Sequence, residues 1–173
     1  MATFQYFRSG GSVPHVNPNQ AAYMKKVDVP QIIADGAANV SPLANTSDVR
    51  TALASTGFAA ADILRVFDVP AGFLLKQVGV RVTTAEGGAA TADIGNASAT
   101  QTHLLAAAAD GYMGTLDLNS ATTQVTLVTD THLGADNYQG VVFITAGTID
   151  ITFNTAATAV VIFNVWADGV IVF

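Results

Sequence analysis

The sequence has no cysteine and little charge, and both shortages restrict what the chain can be. Without cysteine it has neither disulfides nor thiolate metal sites, so packing alone must hold the fold. Only 12% of the 173 residues are charged, compared with roughly 25% in ordinary domains. A chain of this length buries roughly 70% of its unfolded surface. We therefore expect a packed domain that needs no covalent support.

The few charges are also unusual in kind. The acids are twelve Asp and the single Glu86, and the only lysines are Lys25, Lys26 and Lys76. Helix surfaces are usually built from Glu, Lys and Arg, whereas the Thr, Val and Gly that abound here favour strands and turns. The composition therefore predicts an all-β protein.

The charge balance and the hydropathy argue against two classes of partner. A net charge of -6 disfavours nucleic acid, because neutralising phosphates requires clustered Lys and Arg. No apolar run approaches the roughly 18 residues that a membrane span needs, and the N-terminus has no apolar segment typical of a signal peptide. We expect neither a nucleic-acid nor a membrane partner.

Hydrophobic periodicity divides the chain into an irregular N-terminal arm, residues 1–22, and one strand-rich domain, residues 23–173. Tyr23 to Val29 is a predicted strand, and Ser47 with Asp48 is predicted to begin a short helical turn. From Asp62 onward apolar and polar residues alternate, which indicates strands with one buried face. One predicted face of such a strand consists of Val78, Val80, Val82 and Thr84, and the other of Gln77, Gly79, Arg81 and Thr83.

Turn residues separate these strands. Gly140 to Thr145 and Ile149 to Asn154 flank three residues that include a glycine, a spacing that predicts a β-hairpin whose Ile149, Ile151 and Phe153 face the core. Further turns are predicted at Pro70-Ala71-Gly72, at Gly87-Gly88 and at the Asp-Gly pairs beginning at Asp35, Asp110 and Asp168. The spacing of these signals predicts eight to ten strands in a sandwich or barrel.

Two segments leave alternatives open. Thr100 to Asp110 has the composition of a short helix ending at Gly111, but a strand followed by a loop fits equally well. Val160 to Val165, Trp166 and the residues from Gly169 to Phe173 are apolar on both faces. They form either a central strand pair or part of a subunit interface, and we expect Trp166 to be buried.

Residues able to support catalysis are scarce. His15, His103 and His132 lack the spacing that places two imidazoles on one metal ion. Asp130 and His132 resemble half of a catalytic triad, but no nucleophile elbow accompanies them. Most Asp residues fall at predicted turns or strand ends, where their side chains accept bonds from the backbone. We expect no enzyme activity, no metal and no cofactor.

Three segments together resemble a known class of protein. They are VFDVPAG at 66–72, VGVRVTTAEGGAATADIGN at 78–96 and HLLAAAADGYMGTLDLN at 103–119. The succession resembles virion structural proteins of tailed bacteriophages, especially capsid decoration or cement proteins. The resemblance implies a jelly-roll-like, two-sheet β-sandwich that forms a trimer on the outer surface of the capsid. There it would stabilise the shell by bridging major capsid protein subunits.

The arm contains the candidate interface residues Phe4, Tyr6, Phe7 and Arg8, which belong to residue types enriched at interface centres. A flexible Ser-Gly-Gly-Ser segment follows them, so this cluster is predicted to contact another chain. The alternative is that it forms a strand on its own sandwich. At the level of function, the alternative is a head-fibre, tail or receptor- or carbohydrate-binding module of the virion.

Overall fold

The computed structural model describes residues 20–35, 57–96, 108–128, 140–155 and 158–172. Over these residues the chain forms nine strands and one short helix, α1 (Val29–Asp35). The strands are β1 (Gln20–Asp28), β2 (Ile63–Val69), β3 (Phe73–Thr84), β4 (Thr91–Asn96), β5 (Ala108–Asp117), β6 (Thr123–Leu127), β7 (Val141–Val142), β8 (Gly147–Phe153) and β9 (Ile162–Ile171). The predicted all-β class is confirmed.

The strands form two antiparallel sheets around one core. Sheet A has the order β1-β9-β3-β6, with β7 also paired to β3, and sheet B has the order β2-β8-β4-β5. The predicted two-sheet β-sandwich is therefore confirmed, whereas its jelly-roll-like character stays a prediction. The division at residue 22 also stays a prediction, because residues 1–19 lie outside the described residues.

Strands β3 and β9 are the centre of sheet A. Val78, Val80 and Val82 of β3 are buried as the alternation predicts, although Thr84 at the end of the strand is exposed. β9 lies between β1 and β3. The two-sided apolar character of the C-terminal segment thus belongs to one central strand, not to a pair.

Aromatic side chains fill the space between the sheets. Phe58 stacks on Phe153 of β8 with ring centroids 4.1 Å apart. Tyr23 of β1 meets Phe73 of β3 edge to face at 5.3 Å, and also packs against Phe67 of sheet B at 5.7 Å. The contact between Tyr23 and Phe67 joins the two sheets, and ring contacts of these kinds add to plain burial.

The predicted hairpin between Gly140 and Asn154 is wrong. β7 pairs with β3 in sheet A, whereas β8 pairs with β2 and β4 in sheet B. Phe143 holds the end of β7 on sheet A, because its N–H donates to the Phe73 carbonyl and its own carbonyl accepts from Gly72. The glycine-containing connection therefore crosses between sheets. The predicted burial of Ile149, Ile151 and Phe153 is confirmed.

Two of the three predicted Asp-Gly turns are also wrong. Asp110-Gly111 lies inside β5 and Asp168-Gly169 inside β9. At Gly169 a side chain would collide with the Phe73 ring and the Leu74 carbonyl, so this glycine permits close packing within a strand. The turn at Pro70-Ala71-Gly72 is confirmed, with Gly72 at φ 80°, as is the bend at Gly87-Gly88.

Strand β1 confirms the predicted strand from Tyr23, but it ends one residue early because α1 begins at Val29. The Asp28 side chain accepts a bond from the Gln31 N–H at 3.1 Å, and Pro30 fits in the first turn, where no N–H is needed. This Asp-Val-Pro signal could have revealed the helix.

The remaining local predictions are only partly covered by the described residues. In the ambiguous segment from Thr100, residues 108–110 are strand, and the residues before them lie outside the described part. The helical turn predicted at Ser47 and Asp48 lies outside it as well.

Candidate functional site

Most of the residues that the sequence suggested for chemistry or for an interface lie outside the residues that the structure describes. His15, His103 and His132 are outside it, as are the interface candidates Phe4, Tyr6, Phe7 and Arg8, whose role stays a prediction. Among the described residues no group of three or more His, Cys, Asp or Glu could hold a metal ion. Within the same residues no helix is long and apolar enough to cross a membrane.

An apolar surface lies on the outside of sheet A, and sequence reasoning found only its β9 part. The register places Met24 of β1, Trp166 of β9, Gly79 of β3 and Val125 of β6 in one row across four strands. Met24 is 60% exposed, Val125 is 47% exposed, and Leu127 in the neighbouring row is 57% exposed. We call this surface, centred on the row of Trp166, the open face.

The outward position of Val125 and Leu127 results from an inverted strand. In β6 the polar residue Gln124 points toward sheet B, where its amide nitrogen donates to the Asp117 carbonyl at 2.7 Å. The Asp117 N–H in turn donates to the amide oxygen of Gln124 at 3.0 Å. These two bonds join the edge strands of both sheets, and the alternation of the strand then turns the two apolar residues outward.

Trp166 is packed on the sheet surface and is only half-buried. A Cβ at Gly79 would overlap its indole ring, so the ring lies directly over the glycine on the adjacent strand. The expectation that Trp166 is buried in the core is therefore wrong. On β9 the outward-facing Trp166 alternates with the buried Val165 and Ala167. Apolar residues therefore lie on both sides of the strand at this point.

Charged residues lie on either side of the Trp166 row. Two residues toward the start of β9, Asn164 pairs with Lys26 on one side and with Arg81 on the other. Asp168 lies two residues beyond Trp166 toward the end of β9, and its pKa is raised because it is partly buried. The open face is thus basic at one end and acidic at the other.

Lys26 also has an acidic neighbour within the chain. Its ammonium group lies 2.7 Å from a carboxylate oxygen of Asp28. The hydrogen bond from Lys26 lowers the pKa of Asp28, with a smaller contribution from the Gln31 N–H that the same carboxylate caps. Arg81 is exposed on the surface of β3.

The outside of sheet B is different, because part of it is polar and covered. Asp150 of β8 alternates with the core residues Ile149 and Ile151, so a strand with one buried face would expose it, but it is only 3% exposed and accepts a hydrogen bond from the Thr148 hydroxyl at 3.0 Å. The register places Arg65 of β2 directly opposite Asp150. The alternation therefore predicts the wrong environment for Asp150. Its carboxylate can be buried because the cationic Arg65 lies opposite it.

Tyr112 is a second buried polar group of sheet B. Burial raises the pKa of this phenol, and the charge of Asp150 raises it further. The phenol therefore stays protonated at physiological pH and can act only as a neutral group. Its ring packs against Phe143 with centroids 6.3 Å apart, which gives it a place in the core.

Glu86 has a structural task. Its carboxylate accepts hydrogen bonds from three successive N–H groups, those of Ala159 at 2.9 Å, Val160 at 2.8 Å and Val161 at 2.9 Å. It thereby joins the loop after β3 to the segment that leads into β9. Charge-assisted bonds of this kind are the stronger class, and they occupy the only glutamate of the chain.

Comparisons with known proteins give one likeness. No protein-family model matches the chain, and no curated protein matches it. A chain in the solved structure "Cyanophage Pam1 capsid asymmetric unit" is similar to it with a TM-score of 0.49 and 12% sequence identity, over 99% of each chain. A likeness of this degree transfers neither a role nor a partner.

Proposed function

We propose that this chain is a structural protein of a bacteriophage virion that decorates the outer surface of the capsid and stabilises it by bridging major capsid protein subunits. The observation that carries the proposal is the open face. A sandwich with a filled core that still exposes Met24, Val125 and Leu127 on one face is suited to contact with protein. The resemblance of the three sequence segments to decoration proteins supplies the kind of particle.

The remaining features support contact in preference to catalysis. Three polar side chains of the described residues serve the fold: the partly buried Gln124 joins the sheet edges, the partly buried Glu86 fixes a loop, and the buried Tyr112 is a neutral core residue. The net charge of -6 suits the outside of a capsid better than its DNA-facing interior, where a basic surface would be favoured. We therefore propose that the protein is not an enzyme.

Particle binding tests this function. The purified protein is added to capsids that lack it, and the particles are separated from free protein by sedimentation. We expect stoichiometric binding and a higher temperature of capsid disruption. Deletion of residues 1–11, which removes the proposed interface residues Phe4, Tyr6, Phe7 and Arg8, should weaken attachment while the sandwich stays folded. Absence of binding to any phage particle would contradict the proposal.

A receptor- or carbohydrate-binding module of a head fibre or tail is the alternative, and the position of Trp166 favours it. An indole that lies partly exposed on an open sheet is the type of surface on which a sugar ring can stack. A glycan array, followed by titration of Trp166 fluorescence, tests this function. Saturable binding to a defined glycan that Trp166→Ala abolishes would favour it over decoration.

A further inference from the structure

We infer that the open face is a self-complementary surface on which a second copy of this chain packs, related by a two-fold axis through the row of Trp166. The argument rests on the pairing register of sheet A, on the charges at its two ends and on its size. It concerns the isolated protein, in which no capsid protein occupies the open face, and its test does not depend on attachment to a capsid.

The rows of the open face are symmetric about Trp166. The row of Asn164 carries Lys26 and Arg81, and the row of Asp168, equally far in the other direction, carries Gln77 and Leu127. A two-fold axis across the strands at Trp166 superposes the Asn164 row of one copy on the Asp168 row of the other. In an isologous interface every such contact occurs twice.

This superposition brings opposite charges together. Asp168 of one copy lies over Asn164 of the other, between Lys26 on one neighbouring strand and Arg81 on the other. Stacked sheets lie about 10 Å apart, so the long basic side chains reach across. Within its own chain the Asp168 carboxylate is partly buried, which raises its pKa. In the dimer it gains basic neighbours and an amide donor from the other copy.

The same charges are too far apart to pair within one chain. Arg81 is level with Asn164, and Asp168 lies four residues further along β9. That separation is about 13 Å at about 3.3 Å per residue, more than two outward-pointing side chains can bridge. A charge exchange between these residues therefore reports contact between copies.

The apolar row lies on the two-fold axis, so the row of one copy packs against the same row of the other copy. Met24, Trp166 and Val125 of one copy face the corresponding residues of the other, and Gly79 leaves room for the indole to lie flat on the sheet. Four strands and the paired length of β9 give about 500 Å² per copy, or about 1,000 Å² in total, the lower end for specific interfaces. We therefore expect a reversible dimer.

Two exposed valines provide a matched test. Val125 on the open face is 47% exposed, and Val160, on the loop before β9, is 49% exposed. Mass is measured by light scattering over a concentration series, with circular dichroism as the check on folding. We expect a dimer at high concentration for the wild type and for Val160→Asp, and a monomer for Val125→Asp. Equal behaviour of the two variants would overturn the inference, as would a wild-type monomer or trimer at high concentration.

A charge exchange tests the two-fold arrangement itself. Arg81→Asp and Asp168→Arg each place like charges opposite one another, and each should weaken homodimerisation by about tenfold or more. In a one-to-one mixture each dimer contains one native pair, Asp168 with Arg81, and one pair of reversed sign, so a mixed dimer should form preferentially, as read by native mass spectrometry. Two folded variants that fail to form this mixed dimer would contradict the proposed packing.

Discussion

At the scale of single residues, fully buried aromatic rings contribute to the free energy of unfolding. Phe153 is fully buried and stacks on Phe58 at 4.1 Å, whereas the adjacent Thr152 is only partly covered. Replacing Phe153 with Ala should lower the free energy of unfolding by about 3 to 5 kcal/mol, because it leaves a cavity in the core. Thr152→Ala should cost much less. Denaturant titration of both variants measures the difference, and equal losses would contradict the inward orientation of Phe153.

Glu86 provides a second residue-scale prediction. Three backbone N–H groups converge on one carboxylate, and Glu86→Gln removes its charge and one acceptor oxygen while keeping its shape. We expect a loss of about 1 to 3 kcal/mol in the free energy of unfolding. The control is Asp110→Asn, the same chemical change at an exposed position. Similar losses in the two variants would show that the three bonds contribute little.

At the scale of the element, the contact between β3 and β9 depends on a missing side chain. Gly79→Ala would place a methyl group where the Trp166 indole now lies, so the ring must move outward. We expect a lower melting temperature and a red shift of the fluorescence of this single tryptophan. Gly88→Ala is the matched control, since no atom lies within 4 Å of its added Cβ. An unchanged emission maximum in Gly79→Ala would contradict the packing.

The same elements show how far the sequence could predict the fold. Alternation identified Val78, Val80 and Val82 as core residues of β3, because a strand with one buried face repeats every two residues. It did not reveal that β7 and β8 belong to different sheets. Strand assignment depends on Phe143 pairing with Phe73, a partner about 70 residues distant in sequence. A local pattern contains no information about such a partner.

The part of the open face outside β9 was hidden from the sequence for a related reason. Val125 and Leu127 look like core residues of an alternating strand, and the pairing of β6 with β3 together with the bonds between Gln124 and Asp117 turns them outward. Asp150 is the reverse case, since Arg65 lies opposite it only after β2 and β8 have paired. Outer surfaces are decided by tertiary neighbours, so the candidate interface residues named from composition alone were confined to the N-terminal arm and the last strands.

At the scale of the whole molecule, we expect stability to be independent of bound metal. The composition excludes thiolate ligands, and the described residues hold no cluster of acids or histidines. Because a ligand that binds the folded state raises the melting temperature, a chelator would lower it if a metal were bound. We expect the melting curve to be the same with and without EDTA. A decrease that added metal reverses would identify a site.

Asp168 couples the stability of the monomer to its association with a second copy. Burial raises its folded-state pKa above the usual value of 3.8, so the folded chain binds this proton more readily than the unfolded chain. The contribution of Asp168 to stability is therefore largest below 3.8 and decreases as pH rises through the raised pKa. Asp168→Asn removes this decrease, and in dilute monomer it should raise the melting temperature at pH 7 but not at pH 3.

The same substitution should act in the opposite direction on the dimer. In the proposed packing the Asp168 carboxylate lies between Lys26 and Arg81 of the other copy, so Asp168→Asn replaces four charge-assisted contacts per dimer, two for each copy, with neutral ones. We expect a weaker dimer at pH 7, measured by sedimentation equilibrium, from a variant whose monomer is more stable. Added salt should weaken the wild-type dimer more than the variant dimer. A variant that gains both monomer stability and dimer affinity would show that Asp168 has no basic partner across the interface. Without such a partner the buried charge destabilises the monomer and the dimer alike, so its removal stabilises both.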